Sequence, residues 1–243
     1  MSRMVWTDLS SYGVEAAERF YGRVLGWGFD GDGSGYRFCT LKGEPVAGLY
    51  ETPAFFQKIK MPSFWMTYFR VDGLDTVVAT ARERGGRVEL EETTRWGRIA
   101  LIRDPLGAGF TCYEGDQLNG KPVPGVAGAW CWSGLYVSDI SAVSGFYEAI
   151  FGWRFGANTD GCCVMEDGAG GRVGFAWEVP NSVKGKEEYW GVSFGVADTQ
   201  EAERRVTEAG GEVVYRYADE LGQHRLARDD QGAAFYLTAF GGA

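Results

Sequence analysis

The sequence repeats itself, and this internal repeat limits the folds open to the chain more than any other feature. The segment Phe20–Phe29 (FYGRVLGWGF) returns about 125 residues later as Phe146–Phe155 (FYEAIFGWRF). A second segment, Asp104–Phe110, returns at nearly the same offset as Asp229–Phe235. Two separate matches that share one offset indicate a tandem duplication.

The seam between the two copies lies in a stretch rich in glycine and proline. Residues 115–128 (GDQLNGKPVPGVAG) show little apolar periodicity, as is typical of a linker. We therefore predict a first domain at residues 1–115, a linker at 116–128 and a second domain at 129–243.

Each half contains two patterns of one strand, one helix and then further strands. Apolar residues at helical spacing predict helices at Val14–Leu25 and Leu74–Arg84, each followed by glycine. In the second half, Asp198 and Glu201 fit a capping box at the start of the matching helix. Alternating apolar segments such as Phe64–Val71 predict strands. The pattern is that of an α+β protein with four βαβββ modules.

The composition of the chain argues against several classes of function. The chain of 243 residues is 45% hydrophobic and 23% charged, which suits a buried core. Its net charge of −9, without a basic run, argues against nucleic acid as a partner. No segment is apolar enough to cross a membrane or to act as a signal peptide, so we expect a cytoplasmic protein. The five cysteines give no disulfide framework.

The four modules, with Phe-Tyr and Gly-Trp around a helix and a late Asp-Pro-x-Gly turn, resemble the vicinal oxygen chelate superfamily. This superfamily includes glyoxalase I, extradiol dioxygenases and bleomycin-resistance proteins. The chain is most similar to glyoxalase-like proteins of about the same size found in actinobacteria. The resemblance implies two tandem domains, in each of which a pair of modules forms a half-open sheet cup around the active site.

The resemblance also identifies the positions at which metal-using members carry their ligands. On the first strands of the modules these positions hold Trp6, Met66, Trp132 and Gly191, and on the last strands Gly48, Thr111, Gly174 and Tyr236. None is His, Glu, Asp or Cys, and the chain has only one histidine. A divalent ion needs three or more converging donors. We therefore expect no metal and no cofactor, which excludes the chemistries of glyoxalase I and the extradiol dioxygenases.

Strand alternation extends these positions to a set of residues expected to face into the two cups. The predicted ligand-binding residues are Trp6, Tyr50, Tyr68, Thr111, Tyr113, Trp132, Tyr136, Glu178 and Tyr236. Flat aromatic groups mixed with a few polar groups suit a small planar organic ligand. Trp6 and Trp132 stand where metal ligands would stand, and either contact a ligand or only fill the cup.

Three residues are candidates for catalysis: Asp8, Arg70 and His224. Arg70 could bind an oxyanion while Asp8 acts as a base, or the two could form a structural ion pair. His224 has the only side chain with a reference pKa near neutrality. It is either a solvated residue at a strand edge or an acid/base group with Tyr236 and Glu178 as its neighbours.

Two functional hypotheses follow. In the first, the protein binds a small aromatic or conjugated molecule without a metal, for sequestration or resistance as in bleomycin-resistance proteins. In the second, it is a metal-free isomerase, cyclase or lyase that acts on a secondary metabolite or reactive carbonyl by acid/base catalysis. A scaffold that works only through protein contacts would not explain the inward Tyr and Trp residues. A homodimer is also compatible with the resemblance.

Overall fold

The computed structural model describes residues 3–31, 33–219 and 222–240, and these form four modules with the same order of elements. The first module contains β1 (Arg3–Ser11), α1 (Val14–Leu25), β2 (Gly28–Gly31), β3 (Arg37–Leu41) and β4 (Glu44–Glu51). A short helix, α2 (Ala54–Lys58), leads to the second module. That module contains β5 (Phe64–Arg70), α3 (Leu74–Glu83), β6 (Arg87–Thr94), β7 (Gly97–Arg103) and β8 (Gly109–Glu114).

The second half follows the same plan. The third module contains β9 (Trp130–Val137), α4 (Ser141–Phe151), β10 (Arg154–Phe155), β11 (Cys162–Glu166) and β12 (Arg172–Glu178). After α5 (Asn181–Lys184), the fourth contains β13 (Tyr189–Gly195), α6 (Thr199–Glu208), β14 (Glu212–Asp219), β15 (Gly222–Arg228) and β16 (Ala234–Phe240). No helix within the described ranges is long and apolar enough to span a bilayer.

Strand pairing is the same in all four modules. The last strand pairs in parallel with the first, as β4 does with β1 and β12 with β9. The other ladders within each module are antiparallel and run from its last strand back to its second. The predicted α+β class with βαβββ modules is therefore confirmed.

Contacts between Cα atoms divide the chain into two compact units, and each unit takes modules from both halves. One unit combines the second and third modules (residues 67–121 and 133–191) with the start of β1. The other combines the first and fourth modules (residues 7–66 and 192 onward) with residues 122–132. The domains predicted at 1–115 and 129–243 divide the chain differently and stay a prediction.

In each unit, a hydrogen-bonded triad links a helix of one half to a turn of the other. Tyr147 of α4 donates to Oδ2 of Asp104 at 3.0 Å, and the indole of Trp190 donates to the Tyr147 hydroxyl at 2.9 Å. Backbone N–H groups of the 104–108 turn donate to the other carboxylate oxygen. Burial raises the pKa of the Asp104 carboxyl group. The repeated Phe-Tyr segment therefore supplies the tyrosine of the triad, and the repeated Asp-x-x-Gly segment supplies its aspartate.

The second unit has the matching triad. Tyr21 of α1 donates to Asp229 at 3.1 Å, and the indole of Trp65 donates to Tyr21 at 2.9 Å. Burial again raises the pKa of the aspartate. A phenylalanine beside each tyrosine packs against a glycine three residues beyond the end of another helix. A Cβ on Gly86 would overlap Phe146, and one on Gly211 would overlap Phe20.

The predicted helices agree closely with the observed ones. The helix α1 has the predicted bounds and ends at Gly26, whose φ of 75° lies in the left-handed region that glycine tolerates. The helix α3 ends one residue earlier than predicted. Asp198 caps α6 by accepting the backbone N–H of Glu201 at 2.8 Å. The short elements β2, β10, α2 and α5 were not predicted, since two to five residues carry too little periodicity.

Candidate functional site

Four aromatic side chains form a continuous series of ring contacts that we call the aromatic row: Phe175, Trp177, Tyr136 and Tyr189. The ring centroids of Phe175 and Trp177 lie 5.3 Å apart. Trp177 stacks on Tyr136 at 4.9 Å with an angle of 10° between the planes. Tyr136 stacks on Tyr189 at 5.3 Å and 23°. Offset stacking at these distances is the arrangement that aromatic groups favour.

Register explains why these rings share one face. Phe175 and Trp177 lie two residues apart on β12 and therefore project to the same side. In the parallel ladder with β9, Phe175 is opposite Gly134 and Trp177 is opposite Tyr136. A Cβ at Gly134 would overlap the indole of Trp177, so the glycine leaves the space that this ring fills. Tyr136 and Phe175 are buried, whereas Trp177 and Tyr189 are half-buried.

A cation lies at one end of the aromatic row. The guanidinium carbon of Arg172 is 5.2 Å from the ring centroid of Phe175, within the range of a cation–π interaction. Arg172 is exposed and forms no ion pair with any residue in the described ranges. The row thus combines stacking surfaces with one positive charge.

A buried lysine fixes the other end of the row through three residues that we call the Lys184 clip: Lys184, Glu188 and Ser138. The Lys184 ammonium, whose side chain is fully buried, donates to Glu188 Oε1 at 3.1 Å. Glu188 also accepts from the backbone N–H and the hydroxyl of Ser138, at 2.8 and 2.9 Å. Ser138 directly follows β9, and Glu188 directly precedes Tyr189. The clip therefore ties together the two strand ends that carry Tyr136 and Tyr189.

The sequence predicted the wrong face of β12 to point into the cup, because the predicted alternation is shifted by one residue. Gly174 and Glu178 were predicted to face the ligand, but Phe175 and Trp177 share the face of Tyr136. Glu178 is exposed and accepts the backbone N–H of Ile140 at the start of α4. The second half carries one extra residue before β12, and a slip of one residue exchanges the two faces of a strand. Counting the strand alternation of β12 from Trp177 would have identified the aromatic row. No sequence pattern marked Arg172 or Lys184 as functional residues.

His224 is part of a second candidate site, in the unit of the first and fourth modules. Its ring is fully buried, and β15 lies between β14 and β16, so a solvated edge position is wrong. The ring lies between Tyr217 at 4.5 Å and Trp132 at 5.4 Å. Its Nε2 is 2.8 Å from Asp219 Oδ1 and its Nδ1 is 3.0 Å from Thr238 Oγ1. The hydrogen-bond partners of the ring are therefore Asp219 and Thr238, whereas a role for Tyr236 and Glu178 as its neighbours stays a prediction.

This network defines the state of the imidazole. A carboxylate accepts only, which assigns the proton to Nε2 and leaves Nδ1 to accept from Thr238. Thr238 in turn shares a hydrogen bond of 2.7 Å with Ser193. Burial lowers the pKa of His224, and the Asp219 carboxylate partly opposes this shift. Because both nitrogens and both ring faces are occupied, His224 can act on a ligand only through Trp132, Tyr217 or Asp219.

Asp8 belongs to a third group, on the first module. The carboxylate is buried, and its Oδ2 accepts the hydroxyl of Tyr36 at 3.2 Å. Asp8 is opposite Gly48 in the β1–β4 ladder, and a Cβ at Gly48 would overlap the Tyr36 hydroxyl. The rings of Tyr36 and Tyr50 are nearly parallel at 6.2 Å. Burial, followed by the charge of Asp8, raises the pKa of Tyr50.

Two other predicted site residues make structural contacts. Arg70 forms its ion pair with Asp116 at 2.5 Å, so the predicted pair with Asp8 is wrong. The Tyr113 hydroxyl is buried, donates to the carbonyl of Trp96 at 2.6 Å, and accepts from the backbone N–H of Leu118. Tyr113 therefore anchors the segment after β8 and presents no hydroxyl to a ligand.

The remaining predicted ligand contacts lie on the expected strands. Trp6 is buried in β1, and half-buried Tyr68 is opposite buried Thr111 in the β5–β8 ladder. Tyr236 is buried opposite Ser193 in the β13–β16 ladder. Their assignment as ligand contacts stays a prediction.

The positions at which the resemblance implies metal ligands do not fit a metal ion. With the register of β12 corrected, Phe175 replaces Gly174 in that set, and only Thr111 and Tyr236 carry an oxygen in their side chains. At Gly48, the Tyr36 hydroxyl fills the space that the side chain of a metal-coordinating residue would need. Within residues 3–31, 33–219 and 222–240, no three His, Cys, Asp or Glu side chains are grouped so as to hold a metal ion.

Comparison with known proteins defines the class. Residues 130–237 match the model of the Glyoxalase/Bleomycin resistance protein/Dioxygenase superfamily. "Putative glyoxylase CFP32" of Mycobacterium tuberculosis is 30% identical over 95% of this chain and 92% of its own. The chain belongs to this superfamily. "Anthracycline biosynthesis protein DnrV" of Streptomyces peucetius is 29% identical over 98% of this chain and 96% of its own.

Solved structures share the fold at low sequence identity. The 2,3-dioxygenase LapB from Pseudomonas sp. KL28 superposes with a TM-score of 0.65 at 16% identity, covering 99% of this chain and 92% of its own. The Mn(II)-bound glyoxalase from Novosphingobium aromaticivorans gives 0.63 at 13% identity, covering 98% and 83%. At this identity the likeness concerns the fold alone.

Proposed function

We propose that this protein binds a small planar aromatic or conjugated molecule without a metal ion, in sequestration or resistance. The observation that carries the proposal is the aromatic row, in which half-buried Trp177 and Tyr189 flank buried Tyr136. Because these rings stack on one another, a flat ligand would contact their solvent-facing edges, an arrangement of aromatic groups that is also favourable. The Lys184 clip keeps Tyr136 and Tyr189 in place before the ligand arrives, which lowers the entropic cost of binding.

Two further findings support the proposal. The side chains at the family's metal positions supply no set of converging donors. The relative DnrV is named for the biosynthesis of anthracyclines, which are compounds with fused aromatic rings. A flat polycyclic ligand from secondary metabolism suits the aromatic row.

Titration with anthraquinone-2-carboxamide, followed by tryptophan fluorescence, tests the proposal. We expect saturable quenching at one site per chain that survives treatment with EDTA. Trp177→Ala should weaken binding about tenfold, because it removes a ring edge that contacts the ligand and its apolar area. Trp96→Ala, which removes a half-buried tryptophan outside the row, is the matched control and should keep the wild-type affinity. Loss of binding on metal removal, or equal losses in both variants, would overturn the proposal.

A second candidate function is a metal-free isomerase, cyclase or lyase, and the Asp8 group favours it. A buried carboxylate that accepts from a tyrosine hydroxyl pairs a potential base with a potential acid. If this function is correct, the ligand is converted to product, and turnover depends steeply on pH. Asp8→Asn should then abolish turnover, whereas Trp177→Ala, in the other unit, should leave turnover unchanged. Stoichiometric binding without product would support sequestration.

A further inference from the structure

We propose that the ligand of the aromatic row carries an acidic group, a carboxylate or an ionised phenol, which pairs with Arg172. This inference rests on the proposed function and adds the chemical class of the ligand. The guanidinium lies over Phe175 at 5.2 Å, and Phe175 is in turn 5.3 Å from Trp177. A flat molecule lying against the ring edges of Trp177 and Phe175 would therefore have one edge near the guanidinium.

The charge environment of Arg172 supports an anionic partner. Most arginines described in this acidic chain pair with acids, as Arg98 does with Asp75 and Glu114. Arg172 makes no such pair with a residue that the structure describes, although Glu166 is opposite it in the β11–β12 ladder. An arginine held over a ring keeps its five donors directed along the plane of the guanidinium, which suits bidentate contact with a carboxylate or phenolate.

Two probes with the same ring system isolate this contact: anthraquinone-2-carboxylate and the neutral anthraquinone-2-carboxamide. Both are titrated against the full chain at low ionic strength, where a surface charge contributes most. We expect the wild type to bind the carboxylate about fivefold more tightly than the amide, the upper range for an exposed ion pair. Arg172→Gln should remove that preference and leave the affinity for the amide unchanged.

A matched variant controls for net charge. Arg154, on β10 two strands away from β12, is also exposed and stacks on no ring within the described ranges. Arg154→Gln should keep the fivefold preference. If Arg172→Gln retains the preference, or Arg154→Gln loses it equally, the inference is wrong although both probes still bind. If neither probe binds the wild type, the proposed function itself fails.

Discussion

At the scale of single residues, Tyr147 and Tyr21 make equivalent hydrogen bonds in the two units. Each tyrosine hydroxyl accepts from a buried indole and donates to a buried aspartate. Neither the carboxylate nor the indole N–H has access to water, so each depends on the phenol as a partner. The aspartate also holds the turn through its backbone hydrogen bonds, which makes the tyrosine a link between the helix of one module and the turn of another.

We expect Tyr147→Phe to lower the free energy of unfolding by about 2 kcal/mol, because it leaves a buried donor and a buried acceptor unsatisfied. Urea denaturation measures the change. Tyr215→Phe is the control, since Tyr215 is 45% exposed and its hydroxyl can bond to water. A stability of Tyr147→Phe within about 0.5 kcal/mol of the wild type would show that the triad does not hold the unit together.

His224 makes stability depend on pH in a defined direction. Burial lowers its pKa in the folded protein, whereas the unfolded chain takes up the proton near pH 6.5. Acidification below that value therefore favours the unfolded state, by up to about 1.4 kcal/mol per pH unit until the folded pKa is reached. The difference between the wild type and His224→Gln, measured by urea denaturation from pH 7.5 to pH 5, isolates this contribution. An unchanged difference across that range would contradict the lowered pKa.

At the scale of elements, the connections before β5 and β13 differ although their strands correspond. Before β5, the contact between strand ends is neutral: the backbone N–H of Tyr12 donates to Ser63, and Ile59 is 56% exposed. Before β13, the corresponding contact between strand ends is the Lys184 clip, which contains a buried ion pair. The stronger connection is found in the half that carries the aromatic row, as expected if that half holds the ligand.

We expect Lys184→Met to destabilise the protein by about 3 kcal/mol, because it leaves Glu188 nearly buried without its cation. It should also weaken the near-UV circular dichroism of the Tyr136–Trp177 stack. Lys186→Met removes an exposed charge two residues away and should change neither property. If Lys184→Met loses stability but keeps the wild-type near-UV spectrum and probe affinity, the clip stabilises the fold without positioning the row.

How far the sequence predicts this structure also depends on the element. Helix α1 was predicted to the residue because twelve residues of apolar periodicity end in a left-handed glycine. Strand β12 was predicted with the wrong inward face, because a repeat offset fixes the position of a strand but not the single residue inserted before it. The pairing of Tyr147 with Asp104 could not be predicted, since both halves carry equivalent partners and only the folded chain decides between them.

At the scale of the whole molecule, the units do not follow the two sequence repeats. Each unit combines one module from the first half with one from the second, and the two triads cross between the halves. Each unit is therefore shared between the two copies of the duplication, and residues 122–132, which include part of the predicted linker, belong to one unit. Neither half contains a complete unit.

This arrangement predicts that residues 1–121 and residues 122–243, expressed separately, do not fold as monomers. Alone, the first half has Tyr21 without Asp229 and Asp104 without Tyr147, and the apolar faces of α1 and α3 lose the modules that cover them. We expect each half to lack a cooperative thermal transition, and an equimolar mixture to recover one with the mass of the intact chain. Circular dichroism and light scattering measure both properties. A half that melts cooperatively as a monomer would show instead that the repeats are independent domains, as the sequence alone predicts.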